Sequence, residues 1–168
     1  TVQKNVEFGL KMKKVPKAER EKISREFIRL IGLSGFENAL PKQLSGGMKQ
    51  RLAIARTLAN HPEILLMDEP FGALDAQTRV VMQELLARIS RETKNTILFI
   101  THDIDEAILL ADRIYVMSRR PGTIREVLEV KIEGERSHEM LVTPEFLEMK
   151  RKIMDMLWQE SQDAALDK

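Results

Sequence analysis

A serine with two glycines, a pair of adjacent carboxylates and one histidine mark three places in this 168-residue sequence where a phosphate could be handled. The first is Leu44-Ser45-Gly46-Gly47-Met48-Lys49-Gln50-Arg51. Small residues at a helix start leave backbone N–H groups unobstructed at the positive end of the dipole, which suits a phosphate. Read alone, the same residues are a serine N-cap with a tight glycine turn. The second place, sixteen residues past Arg51, is Met67-Asp68-Glu69-Pro70, an apolar strand ending in two carboxylates. Ligands of open parallel sheets bind at the carboxyl ends of strands. Asp68 could hold Mg²⁺ directly or through water, because that hard cation takes oxygen ligands and keeps waters. Glu69 could orient or deprotonate an attacking water. Solvated acids at a strand end are the plain alternative. The third place is Thr101-His102-Asp103, after the next apolar run. Its imidazole would reach the same sheet edge and could hydrogen-bond a terminal phosphate or the water attacking it, or it is a cap or surface residue.

The elements that must position these residues change character along the chain. Val2, Val6, Phe8 and Leu10 give a helical pattern that Pro16 closes. Residues 18–31 repeat the period with Ile23, Phe27, Leu30 and Ile31, and Gly32 supplies the stop. A turn-rich connector over 35–42 leads to a third helix, which runs to about Asn60 before Pro62. Beyond Pro62, apolar runs at 64–67 and 96–101 flank a long helix over 75–92 carrying Met82, Leu85, Leu86 and Ile89. Strand, helix, strand in that order predicts a parallel pair. A short helix at 103–111, a strand at 113–118, the turn Arg119-Arg120-Pro121-Gly122 and an antiparallel-looking strand at 123–132 follow. Thr143-Pro144-Glu145 opens a last helix with Phe146, Met149, Ile153, Met156 and Leu157 on one face.

Composition narrows the classes. Domains of roughly 100 to 200 residues are the norm, so one domain is expected. The 27 basic and 26 acidic residues leave a net charge of +1, which gives no support to a nucleic-acid surface. With no cysteine there is no disulfide, thiolate catalysis or cysteine zinc site. A membrane span needs about 20 consecutive apolar residues, whereas the longest run here is Ala107 to Ala111. Any membrane role is therefore expected to be peripheral, with a cytoplasmic location as the default. The basic cluster Lys11, Lys13, Lys14, Lys17, Arg20 and Lys22 is read as a solvated face rather than a contact for a protein partner or lipid.

Taken together and in order, these motifs resemble those of ATP-binding cassette (ABC) ATPases. Leu44 to Arg51 is similar to the signature sequence, Ile64 to Pro70 to the Walker B segment with its following glutamate, Gly72-Ala73-Leu74-Asp75 to the D-loop, and Ile100-Thr101-His102-Asp103 to the switch histidine. Within the family, the strings Asp68 to Asp75, Thr101 to Ala107 and Ser118 to Gly122 look most like ATPase subunits of importers for nitrate, sulfonates and taurine. Glu133-Gly134-Glu135-Arg136-Ser137-His138 departs from the proline- and arginine-rich stretch of such relatives.

The resemblance implies an α/β, P-loop NTPase-like domain with an incomplete parallel sheet. Residues 1–60 would form the helical signature subdomain, 61–132 part of the catalytic core, and 133–168 a C-terminal helical tail. ATP and Mg²⁺ would be the cofactors. A second ATPase subunit would pair head to tail with this one, and transmembrane permease subunits would be driven from the inner face of the cell membrane; no nucleic acid is expected. Asp68 would hold the metal, Glu69 and His102 would be catalytic, and Ser45, Gly46, Gly47, Gln50 and Asp75 would serve nucleotide binding. No pair among the eight glycines fits Gly-x-x-x-x-Gly-Lys-Ser/Thr. The Walker A loop, the aromatic A-loop and the Q-loop glutamine all precede Thr1 in the family, so the chain reads as the C-terminal part of the domain. The strand leading into Walker A lies in the family between those here at 96–101 and 113–118. Two other readings stand beside the importer subunit: a soluble, non-transport cassette ATPase, and an inactive remnant.

Overall fold

The computed structural model describes residues 1–93, 96–132 and 136–166. The fold is mixed α/β. Its chain divides into two compact units, Thr1–Leu98 and Phe99–Lys168.

In the first unit, α1 (Val2–Met12) buries Val2, Val6 and Leu10, one residue per turn. α2 (Lys17–Leu30) follows Pro16 and ends in a Schellman motif: Gly32 has φ +66°, Leu33 N–H donates to the Ile28 carbonyl at 2.9 Å, and Gly32 N–H to that of Arg29 at 3.0 Å. The buried face of α2 is Ser24, Phe27, Ile28 and then Ile31, so it is rotated from the predicted stripe, in which Ile23 and Leu30 are only half-buried. Ser24 explains the rotation. Its hydroxyl reaches Glu7 Oε1 on α1 at 3.3 Å and the Glu21 carbonyl at 3.2 Å, so a small polar residue can face α1 with its hydrogen-bonding capacity met. Gly9 matters at the other side of α1, because a Cβ there would overlap the Asn60 side chain.

α3 (Gly46–Leu58) runs beside α1 and buries Leu52, Ile54, Ala55 and Leu58. After Pro62 come β1 (Ile64–Asp68), α4 (Ala76–Thr93) and β2 (Thr96–Ile100). β1 and β2 form a two-stranded sheet. Leu65 and Met67 are buried on one side, whereas Ile64, Leu66 and Leu98 lie 64%, 72% and 54% exposed.

In the second unit, α5 (Ile104–Leu110) leads into β3 (Arg113–Met117), which pairs antiparallel with β4 (Ile124–Glu129) in the register Ile114 to Leu128, with a bulge between Val116 and Met117. α6 (Pro144–Leu166) completes it. Ile108, Leu109, Ile114, Val116, Leu128, Phe146 and Ile153 share its core. The departing stretch at 133–138 lies in part, at 133–135, outside the described residues. Among the described residues the strands thus form two separate two-stranded sheets.

A bare apolar sheet face is costly in water and templates association. The 168-residue chain is therefore expected to self-associate in dilute solution. Sedimentation should find species heavier than 19.3 kDa, with weak amide protection in β1 and β2. A monodisperse monomer with strong protection in both strands would contradict this.

Candidate functional site

Ser45 stands before α3 in an extended conformation, and its Oγ accepts from Met48 N–H at 3.2 Å. That bond engages the Ser45 hydroxyl and the Met48 amide, while the N–H groups of Gly46 and Gly47, in the first turn, have no acceptor within the helix. Neither glycine has a positive φ. A Cβ on Gly46 would meet nothing within 4 Å, and one on Gly47 would make ordinary contacts with Leu74 Cδ2 at 3.4 Å and the Ala73 carbonyl at 3.8 Å. The fold of this chain therefore does not demand glycine at 46. What the missing side chain leaves is access to backbone donors at a helix N-terminus.

Asp68 ends β1, and both Asp68 and Glu69 are exposed. Glu69 has φ +43°, a left-handed conformation that non-glycine residues adopt rarely. The chain turns sharply there. Gly72 N–H donates back to the Glu69 carbonyl at 3.2 Å, Leu74 N–H to that of Phe71 at 3.0 Å, and the buried Phe71 and Leu74 root the turn in the core.

The Gln50 side chain ties α3 to this turn. Gln50 Nε2 donates to the Glu69 carbonyl at 3.3 Å, and Gln50 Oε1 accepts from Ala73 N–H at 3.2 Å. Asp75 then caps α4, its Oδ1 accepting from Thr78 N–H at 3.0 Å. That backbone hydrogen bond first, then the Thr78 hydroxyl, with the Arg51 charge as a smaller cause, holds the Asp75 carboxyl below its usual value. A depressed pKa means the ionised cap favours the fold above the ordinary carboxylate range and loses that contribution as pH falls through the lowered value.

The structure thus brings Ser45, Gly46, Gly47, Gln50, Glu69 and Asp75 onto one edge of the first unit, with Asp68 beside Glu69. His102 belongs to the second unit, where it is exposed next to Asp103. Asp103 caps α5 through Asp105 N–H at 2.9 Å and Glu106 N–H at 3.2 Å, while Thr101 Oγ1 donates to the buried Glu106 at 2.8 Å and accepts from Asp103 N–H at 3.0 Å. The backbone on both sides of the imidazole is therefore fixed.

Among the described residues no three His, Asp or Glu side chains converge on a metal position. A single exposed carboxylate at a strand end still fits Mg²⁺, which takes one or two carboxylates and completes its shell with waters and substrate phosphates. Asp68 would be that ligand. Sequence reasoning missed Arg51, whose Nη1 donates to the Ile31 carbonyl at 2.8 Å and joins α3 to the end of α2. No local pattern signals a partner twenty residues away.

The ABC transporter family matches residues 1–72. An uncharacterized ABC transporter ATP-binding protein of Methanocaldococcus jannaschii is 53% identical over 160 residues, which cover 95% of this chain and 59% of that protein. A nitrate import ATP-binding protein of Synechocystis sp. is 47% identical over 163 residues, covering 94% of this chain and 61% of the relative. Among solved structures, a dimeric ATP-binding cassette in a post-hydrolysis state with ADP and Pi superimposes with a TM-score of 0.70 at 36% identity, over 79% of this chain and 58% of that one. The chain spans about three fifths of the length of the curated relatives it matches. With the signature-like helix, the strand-end carboxylates and the capped turn between them, the chain is thus similar, over nearly all of its own length, to part of known ATP-binding cassette proteins.

Proposed function

We propose that this chain supplies the signature and Walker B parts of the ATPase subunit of an importer, with ATP and Mg²⁺ as its cofactors. The observation that carries the reading is the open first turn of α3, where Gly46 has space around it that the chain's own fold leaves unused. In a head-to-tail pair, Ser45, Gly46 and Gly47 would meet the γ-phosphate of ATP held by the second copy, adding charge stabilisation only when the pair closes. Asp68 would hold the metal shell of the chain's own nucleotide. Glu69 would polarise the attacking water, His102 would steady the γ-phosphate, and Asp75 would lie where the two sites communicate.

Closure would move permease subunits through the helical part, residues 1–60, while 61–132 carries the chemistry and 133–168 forms the tail. No helix among the described residues is long and apolar enough to cross a membrane. This suits a peripheral subunit on the inner face. Solutes of the nitrate, sulfonate and taurine kind are the proposed cargo, on the strings quoted above and on the nitrate-import relative.

The sequence contains no phosphate-cradling Gly-x-x-x-x-Gly-Lys-Ser/Thr motif. These 168 residues alone are therefore expected to bind Mg-ATP no tighter than about millimolar and to hydrolyse none. Calorimetry with Mg-ATP checks this. Micromolar binding with steady turnover by this polypeptide would overturn the division of labour.

A further inference from the structure

We propose that Gln50 is a positioning residue for Glu69, acting through the backbone of the 69–73 turn and not by touching nucleotide. This rests on the reading of Glu69 given above. The resemblance puts Gln50 among nucleotide-binding residues, yet both polar ends of its amide are engaged inside the chain: Nε2 on the Glu69 carbonyl at 3.3 Å, Oε1 on Ala73 N–H at 3.2 Å.

The turn needs such a clamp. Glu69 sits at φ +43°, a conformation rare for a non-glycine residue that persists only where the surroundings over-determine it. Within the turn itself the carbonyl of Glu69 is held by Gly72 N–H at 3.2 Å. Gln50 adds a second donor to that carbonyl, and its other end fixes Ala73 on the far side of the turn. It therefore hydrogen-bonds from α3 into the turn at both of its ends.

The consequence is mechanical. Gln50 stands about one turn into the helix that begins with Gly46, so displacement of the Ser45–Gly47 end carries Gln50 with it. The direction in which the Glu69 carboxylate leaves the backbone follows the Glu69 dihedrals, and misplacing a catalytic group by about 1 Å can cost 10²-fold in rate. Occupation of the open end of α3 is thereby transmitted to the carboxylate through one amide.

The test uses a full-length subunit carrying this segment, with ATP affinity and turnover measured separately. Gln50→Met keeps length and apolar packing while removing both hydrogen bonds. Gln50→Glu keeps the acceptor for Ala73 N–H and removes the donor to Glu69. Both are expected to lower kcat by about 10- to 100-fold and to leave KM and nucleotide affinity within about twofold. In a Glu69→Gln background Gln50→Met should add no further loss, because the two act through one group.

A raised KM at unchanged kcat would overturn the proposal and return Gln50 to direct nucleotide contact. Wild-type kcat in both variants, additive losses in the double variant, or loss of nucleotide binding in both would overturn it as well. If Gln50→Met alone fails to fold, Gln50→Glu decides. Glu69→Gln by itself separates the two levels: if it keeps normal turnover, the reading of Glu69 fails; if it abolishes turnover while Gln50→Met does not slow it, only the positioning role fails.

Discussion

Replacing Glu69 by Gln in a full-length subunit carrying this segment is expected to lower ATP turnover by about 10²- to 10⁴-fold and to leave nucleotide affinity within about twofold, the range for removal of a general base. The two side chains have nearly the same shape, so the turn should keep its backbone, including the bond from Gly72 N–H to the Glu69 carbonyl. Asp68 is untouched. The proposed metal shell would therefore survive while the carboxylate proposed to polarise water is lost. Single-turnover assays beside equilibrium nucleotide binding distinguish the effects. Turnover within a few-fold of wild type would remove Glu69 from the chemistry, and a parallel loss of affinity would make its role one of binding.

The second large effect is expected at the open end of α3. Ser45→Arg should stop turnover, by about 10²-fold or more, through steric exclusion of the phosphate and loss of a preorganised donor. Its own fold should tolerate the change, because Ser45 is exposed and an N-cap serine is worth about 1 kcal/mol. Ser45→Ala loses the same cap without adding bulk, so the difference between the two variants isolates obstruction from capping. Gly46→Leu serves as an independent check, since a Cβ there meets nothing of its own chain within 4 Å. Steady-state turnover together with thermal melting measures both arms. Equal activity of Ser45→Arg and Ser45→Ala would show that this helix end contacts no ligand.

Much of this architecture is legible in local sequence. Gly32 ends α2, Pro62 separates α3 from β1, and Asp68-Glu69 fall at a strand end. Each rests on short-range backbone chemistry: a left-handed cap, a residue that cannot donate, an apolar run followed by charge. What was illegible depends on partners distant in the chain. The face of α2 turns toward Ser24 because Glu7 offers it an acceptor seventeen residues away. Gln50 faces the 69–73 turn because Glu69 and Ala73 present a carbonyl and an N–H there. Glu69 itself carries no mark of a positive φ, since glutamate, unlike glycine or asparagine, does not signal that region by its type. The candidate site residues are thus readable as types in order, whereas the strut that connects them is not.

Head-to-tail use of the α3 end is tested most directly in mixed dimers of the full-length subunit, one copy carrying Ser45→Arg and the other Glu69→Gln. If Ser45 serves the partner's nucleotide, both lesions fall on the site held by the Glu69→Gln copy, and the other site stays whole and turns over ATP. In the converse arrangement, with both substitutions on one copy and a wild-type partner, each site carries one lesion and turnover is lost. Turnover in the first mixture and none in the second is the predicted result. The reverse, loss in the first and retention in the second, would mean that Ser45 acts on its own chain's nucleotide and would contradict the head-to-tail assignment.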